Sequence, residues 1–326
     1  MSASVSEAPT DFTSFELSEW IEMHMFLNGV LSVSRATIST FFPAGQGPDG
    51  AEIDQLFAEI RRRAEDAPTL YPFRAIDDTI EIEASIDSTA YFLLQVLSIE
   101  AAPFRRQNRF NEINPSFELI TREALISYCG PGAQGRRFGW PNGDGRPEHL
   151  GDAVAWLANE MGLGVGDFWG EVDSDDKDGG IDVAAWRAFP DGSPSFTTYL
   201  AQCTVQMTYE RKPGDVVPEK WASWIKFGKL PEVVLSVPFA IPTDAKVRLD
   251  LNYKVHVLLD RLRLIYLLDR GASTLSSFPE YEFMKDWTRT EVQLTKNALS
   301  QPSGPIPRRP KIRKPLKAVN PNAPRE

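Results

Sequence analysis

The sequence predicts an α/β fold in which a mixed β-sheet is flanked by helices. The first observation is the order of patterns between residues 148 and 239, which runs helix, strand, strand, helix, strand. The second is the polar segment 190–194, Pro-Asp-Gly-Ser-Pro, which separates the first two strand-like runs and is typical of a hairpin turn. The helical patterns cover 148–161 and 218–227, and the strand-like runs cover 181–189, 198–205 and 233–239.

The amino-acid composition limits the classes of protein to which the chain can belong. The chain has 326 residues, of which 42% are hydrophobic and 25% charged, as in ordinary globular proteins. Cys129 and Cys203 are too few for a disulfide framework and lack zinc-ligand spacing, so we expect a reduced, cytoplasmic compartment. Because there is neither a signal-peptide pattern nor an apolar run of about 18 residues, we expect no membrane association.

The patterns divide the chain into three parts. Residues 1–110 are predicted to form an α+β module of unknown role, with an amphipathic helix at 53–64 and an alternating strand at 79–86. Residues 111–300 carry the α/β domain, which begins with a short helical pattern at 117–128. Residues 301–326 are rich in proline and basic side chains, which predicts a disordered tail.

Charge is unevenly distributed between body and tail. From residue 307 to 326 there are seven basic residues and one acidic one, a net charge of +6. Because the whole chain has a net charge of −10, residues 1–306 together carry −16. A basic tail on an acidic body is either a solvated terminus or a contact for phosphates or an acidic partner. The basic residues that we consider for nucleic-acid binding are Arg308, Arg309 and Lys311 in the tail, with Arg136 and Arg137 in the Gly- and Pro-rich segment 130–147.

One acidic segment points to metal chemistry. Residues 170–178 are dense in acids, and Gly179 and Gly180 lead directly into the strand that contains Asp182. No register satisfies a calcium loop of the EF-hand type, with Gly at its sixth position and Glu at its twelfth. An acidic hairpin whose glycines only make the turn is the alternative interpretation.

A second residue favours the metal site over that alternative. Gln202 lies 20 residues after Asp182, on the partner strand of the predicted hairpin, so the two side chains are expected to converge. A carboxylate and an amide oxygen can bind Mg²⁺ (or Mn²⁺) while water fills the remaining positions. Such a metal polarises a phosphoryl oxygen and lowers the pKa of the attacking water.

These motifs carry a resemblance to a known family. Asp178-Gly179-Gly180-Ile181-Asp182, followed by Gln202-Cys203, resembles the Mrr-type branch of the restriction-endonuclease-like PD-(D/E)xK nucleases, in which Gln often replaces the acid of the second motif. The resemblance covers about residues 115–240, and the helical pattern 148–161 resembles the family's first helix. It implies a restriction-endonuclease-like fold, hydrolysis of DNA phosphodiester bonds with Mg²⁺ at Asp182 and Gln202, and a role in bacterial defence against phage.

The chain departs from the family pattern at the lysine. Thr204 stands two residues after Gln202, where the family usually has Lys. Lys212, ten residues after Gln202, is our candidate for the missing amine, and a solvated loop lysine is the alternative. Glu148 and Asp152, i and i+4 neighbours, are the candidates for an acid on the first helix, although charges at a helix start also favour the helix dipole.

Three classes of function follow. The first is a Mg²⁺-dependent endonuclease that acts on DNA and is targeted by its N-terminal module, a partner protein or a homo-oligomer. The second is a catalytically inactive endonuclease-like subunit that binds nucleic acid or scaffolds a defence complex, and Thr204 is its best support. The third is a protein-interaction adaptor. Trp221 and Trp224, at helical spacing, are expected in the core, with base stacking as the alternative.

Overall fold

The computed structural model describes residues 13–143, 145–167, 179–272 and 274–300. These residues form a mixed α/β fold with a five-stranded mixed sheet and a three-stranded antiparallel sheet, which confirms the predicted fold class. The acidic residues 170–178 and the basic tail from residue 301 lie outside the described residues.

The N-terminal part alternates helices with the small sheet. The predicted helix at 53–64 is present and begins earlier, because Asp49 and Glu52 form a capping box at its start. The predicted strand at 79–86 is present but ends at Ile82. The elements are α1 (Ser14–Asn28), β1 (Ser32–Ser34), α2 (Arg35–Thr40), α3 (Gly50–Asp66), β2 (Phe73–Ile76), β3 (Thr79–Ile82), α4 (Thr89–Ser98) and α5 (Pro103–Arg106), and the strand order is β1-β3-β2.

The second part of the chain builds the five-stranded sheet. Its elements are α6 (Phe110–Cys129), β4 (Gln134–Arg137), α7 (Leu150–Glu160), β5 (Val183–Trp186), β6 (Thr198–Cys203), α8 (Pro218–Trp224), β7 (Glu232–Ser236), α9 (Lys246–Asn252), β8 (Val257–Leu259), α10 (Arg261–Arg270) and α11 (Tyr281–Ser300). The strand order is β4-β5-β6-β7-β8; β4, β5 and β6 are antiparallel neighbours, while β7 and β8 continue the sheet parallel to β6. The hairpin predicted between β5 and β6 is confirmed.

Helix α6 is longer than the sequence predicts. Proline usually ends a helix, yet Pro115 lies inside α6. Ile113 and Phe117, on either side of it, are both buried in the core. Tertiary packing therefore extends the helix through a residue that the local sequence marks as a break.

The large sheet is covered on both faces. Side chains along β5 alternate, so Val183 and Ala185 pack with α6 and α10 on one face, while Ala184 and Trp186 pack with α7 and α8 on the other. The cluster on the α6 face is continuous with buried residues of the N-terminal helices, Leu17 and Phe57 among them. The division predicted at residue 110 is therefore not marked by a break in the core, and it stays a prediction.

Within the described residues, no helix is both long and apolar enough to cross a membrane.

Candidate active site

Backbone hydrogen bonds fix Asp182 between two strands. Its N–H donates to the carbonyl oxygen of Ala201 at 2.8 Å. Its own carbonyl oxygen accepts from the N–H groups of Phe138, at 2.7 Å, and Gly139, at 3.1 Å. Asp182 thus stands just before β5, at the end of the sheet where β4 stops and β6 approaches its last residues.

The side chains of Asp182 and Gln202 meet, as the hairpin spacing predicts. Nε2 of Gln202 donates to Oδ2 of Asp182 at 3.0 Å, and the backbone N–H of Cys203 donates to the same oxygen at 2.7 Å. The register that pairs Val183 with Ala201 brings the preceding aspartate opposite the following glutamine. These two hydrogen bonds orient the carboxylate.

A second carboxylate, from Glu118 on α6, lies beside Asp182. A Cβ atom at Gly139 would lie 2.8 Å from Oδ1 of Asp182 and 2.8 Å from Oε1 of Glu118. These two oxygens are therefore no more than about 5.6 Å apart, since both lie that close to one point. Because Mg²⁺ binds oxygen at about 2.1 Å, two oxygens that share one ion lie within about 4.2 Å of each other, a separation that this upper bound allows. Any side chain at position 139 would fill this space, so the close approach requires glycine.

The sequence pattern does not single out Glu118. The available signal was an acid inside the apolar run 117–120, and the side chain of Glu118 is indeed only 3% exposed. Glu148 and Asp152, the acids predicted for this role, are exposed at the start of α7, which covers the opposite face of the sheet from α6. The helix acid beside Asp182 is therefore Glu118 rather than either of them.

Arg137 holds the Glu118 carboxylate through its second oxygen. Its Nε and Nη2 donate to Oε2 of Glu118 at 3.0 and 2.9 Å, and Nη2 also donates to the carbonyl oxygen of Pro141 at 3.2 Å. Arg137 is buried and positions the Glu118 carboxylate, and its contact with a phosphate stays a prediction. Arg136 is half-buried and pairs with Glu160 at 2.6 Å.

The amide oxygen of Gln202 is the least satisfied atom of the site. Oε1 is buried and has no hydrogen-bond partner among the described residues, because the nitrogen of the same amide faces Asp182. An unsatisfied buried acceptor costs about 1–3 kcal/mol. A cation bound at this oxygen would remove that cost.

The electrostatics of the site disfavour thiol chemistry at Cys203. Burial raises the pKa of this thiol well above its usual value, and the negative charges of Asp182 and Glu118 raise it further. A thiol that stays protonated is a poor nucleophile and a poor metal ligand. Among the described residues, no three His, Cys, Asp or Glu side chains are arranged to hold a metal ion. The available ligands are thus two carboxylates and one amide.

The amine of Lys212, the candidate for the missing lysine, is engaged by a neighbouring aspartate. Lys212 belongs to the 3-10 helix Tyr209–Gly214, and Nζ donates to Oδ2 of Asp215 at 3.0 Å. The carbonyl oxygen of Asp215 would lie only 2.0 Å from a Cβ at Gly180, two residues before Asp182. At the position where the family has lysine, Thr204 is buried and accepts a hydrogen bond from the N–H of Gln206.

Trp221 and Trp224 lie in the core beside the glycine segment that leads to Asp182. Both are buried, and Nε1 of Trp221 donates to the carbonyl oxygen of Gly179 at 3.0 Å. Base stacking by these two side chains is therefore ruled out. The tail residues Arg308, Arg309 and Lys311, and Asp178 of the acidic motif, lie outside the described residues.

Comparison of the chain with models of protein families, with curated proteins and with solved structures gives no match.

Proposed function

We propose that the chain is a Mg²⁺-dependent nuclease of the restriction-endonuclease-like type that hydrolyses DNA phosphodiester bonds. The observation that carries the proposal is the convergence of Asp182, Glu118 and Gln202 at one end of the sheet. In this proposal α6, which precedes the sheet, takes the place of the family's first helix.

The residues present fit a hard divalent cation. Oδ1 of Asp182, Oε1 of Glu118 and Oε1 of Gln202 are oxygen donors, which Mg²⁺ and Mn²⁺ prefer to sulfur. Mg²⁺ bound there would polarise a phosphoryl oxygen and lower the pKa of a bound water.

The chain's own residues prepare that site. Cys203 N–H and Gln202 Nε2 orient the Asp182 carboxylate, and Arg137 occupies Oε2 of Glu118 so that Oε1 remains toward Asp182. Lys212 supplies positive charge beside the reacting phosphate once its ion pair with Asp215 opens. Asp215, its ion-pair partner, has its carbonyl oxygen beside Gly180, and this neighbourhood supports the role.

A second candidate is a catalytically inactive member of the same type that binds nucleic acid or scaffolds a defence complex. Thr204 in place of lysine and the engagement of Lys212 by Asp215 favour it. The role in defence rests on the resemblance of the Asp182 and Gln202 motifs. The same proposal includes a targeting partner, which is either another protein or a second copy of this chain.

A cleavage assay separates the two candidates. Supercoiled plasmid and single-stranded DNA are incubated with the protein in Mg²⁺, Mn²⁺ or EDTA, and wild type is compared with Asp182→Asn and Glu118→Gln. We expect cleavage only with metal, and a loss of about 100-fold or more in each variant, as when one preorganised electrostatic contact is removed from an active site.

Asp191→Asn is the matched control, because Asp191 is an exposed aspartate in the turn at the other end of β5. Circular dichroism checks that each variant is folded. Equal cleavage by wild type and Asp182→Asn would remove the enzyme proposal. DNA binding without cleavage by the wild type would favour the inactive subunit.

A further inference from the structure

One tryptophan stands apart from the others in its exposure. Seven of the eight tryptophans lie within the described residues, and six of these are buried or half-buried. Trp140 is 57% exposed. An indole in water leaves a large apolar surface and an aromatic face available to a ligand.

Trp140 is attached directly to the candidate active site. The residue before it, Gly139, donates its N–H to the carbonyl oxygen of Asp182 and lies against both carboxylates. Consecutive Cα atoms are about 3.8 Å apart, so the Cα of Trp140 lies within about 8 Å of Oδ1 of Asp182. The backbone of Trp140 is therefore close to one of the carboxylate oxygens proposed to hold the phosphate, and its exposed indole is available to a ligand there.

The loop that carries Trp140 is held by two buried arginines. Arg137 donates to the carbonyl oxygen of Pro141, and Nη1 of Arg146 donates to Oδ1 of Asn142 at 2.7 Å. The guanidinium of Arg146 also lies 4.4 Å from the centre of the Phe138 ring. A side chain on such a braced loop needs little further ordering when it binds a ligand, which favours affinity.

We propose that Trp140 stacks on an unpaired nucleobase next to the phosphate held at Asp182 and Glu118, so that single-stranded DNA is the preferred ligand. Every base has a π-face, so aromatic stacking tolerates sequence, but a base inside a duplex is already stacked on its neighbours. Stacking also supplies affinity without positive charge, which suits a chain of net charge −10. This inference rests on the proposed function, from which it takes the position of the phosphate.

Binding can be measured independently of cleavage. The probe is a 12-residue oligothymidylate, titrated into the full chain at low salt and followed by tryptophan fluorescence and anisotropy, once in EDTA and once in Ca²⁺. Wild type is compared with Trp140→Ala and Trp140→Phe. The matched control is Phe189→Ala, because Phe189 is 56% exposed but lies beyond the other end of β5.

We expect Trp140→Ala to weaken binding at least about fivefold, Trp140→Phe to retain part of the affinity, and Phe189→Ala to bind as wild type. Fluorescence quenching on binding should disappear with Trp140. A 12-base-pair duplex of mixed sequence should bind the wild type more weakly than the single strand.

Three results would overturn the inference: wild-type affinity in Trp140→Ala, an equal loss in Phe189→Ala, or no binding by the wild type in either buffer. A failure of the proposed function has a different signature. If Trp140→Ala lowers oligonucleotide binding while the wild type cleaves nothing in Mg²⁺ or Mn²⁺, stacking stands and the nuclease proposal falls.

Discussion

At the scale of single residues, a buried cluster of charges away from the candidate active site joins α1, α3 and α10. Glu22 is fully buried and accepts hydrogen bonds from Arg63, Tyr71 and Tyr91. Burial raises the pKa of Glu22, and the charge of Arg63 opposes that rise without cancelling it. Removing the charge of Arg63 would leave a carboxylate in the core without its cation.

This cluster gives a prediction about stability. Arg63→Met should lower the free energy of unfolding by about 3–5 kcal/mol, because one partner of a buried ion pair is lost. Arg62→Met is the matched control: Arg62 is the neighbouring arginine on α3, its side chain is 53% exposed, and its ion pairs with Glu59 and Asp66 are worth about 0–1 kcal/mol. Urea denaturation measures both. Similar losses in the two variants would contradict the prediction.

At the scale of elements, two glycines with positive φ flank β5, and only one of them admits another chain segment. Gly180 has φ +83°, and a Cβ there would lie 2.0 Å from the backbone oxygen of Asp215. Gly192, in the β5–β6 turn, has φ +71°, but no atom lies within 4 Å of a Cβ placed there. A substitution at Gly192 thus tests backbone strain alone, whereas a substitution at Gly180 tests strain together with steric overlap.

We therefore expect Gly192→Ala to cost about 1–2 kcal/mol, the strain of a left-handed alanine. Gly180→Ala should cost about 1–3 kcal/mol more, because the added methyl also pushes back the turn that carries Lys212. If the wild type cleaves DNA, Gly180→Ala should also cleave it more slowly than Gly192→Ala. Chemical denaturation tests the first expectation and the plasmid assay the second. Equal stability of the two variants would show that the overlap relaxes freely.

Also at this scale, the sequence predicts what is local and misses what is not. The β5–β6 hairpin follows from a short turn between two apolar runs, and it brings Asp182 to Gln202. Glu118 reaches the same point only because α6 packs across the sheet, a contact between residues 64 positions apart in sequence. Local pattern therefore favoured Glu148 and Asp152. The sequence pattern also pointed to Trp221 and Trp224, because helical spacing can be read from sequence. The exposure of Trp140 cannot be read in this way.

At the scale of the whole molecule, the N-terminal part and the large sheet are joined by their core and by polar contacts. Arg261, at the start of α10, is buried and pairs with Glu19 of α1. The carboxylate of Glu291 on α11 accepts from the backbone N–H of Phe104 at 2.8 Å. Apolar residues of α1, α3 and α4 belong to the same buried cluster as those of α6, β5 and α10.

This continuity predicts how the molecule unfolds. A fragment of residues 111–326 would expose the apolar face of α6 and leave Arg261 and Glu291 without their partners, so we expect it to be aggregated or to lack a cooperative transition. The full chain should unfold in one step, with coincident curves from far-ultraviolet circular dichroism and from tryptophan fluorescence. Calorimetry provides the second criterion, since the calorimetric and van't Hoff enthalpies agree for a two-state transition. A soluble 111–326 fragment with its own sharp transition, or two resolved transitions in the full chain, would instead establish the boundary near residue 110 as a true domain division. The N-terminal part would then be a separable module rather than a part of the core that packs against α6 and the large sheet.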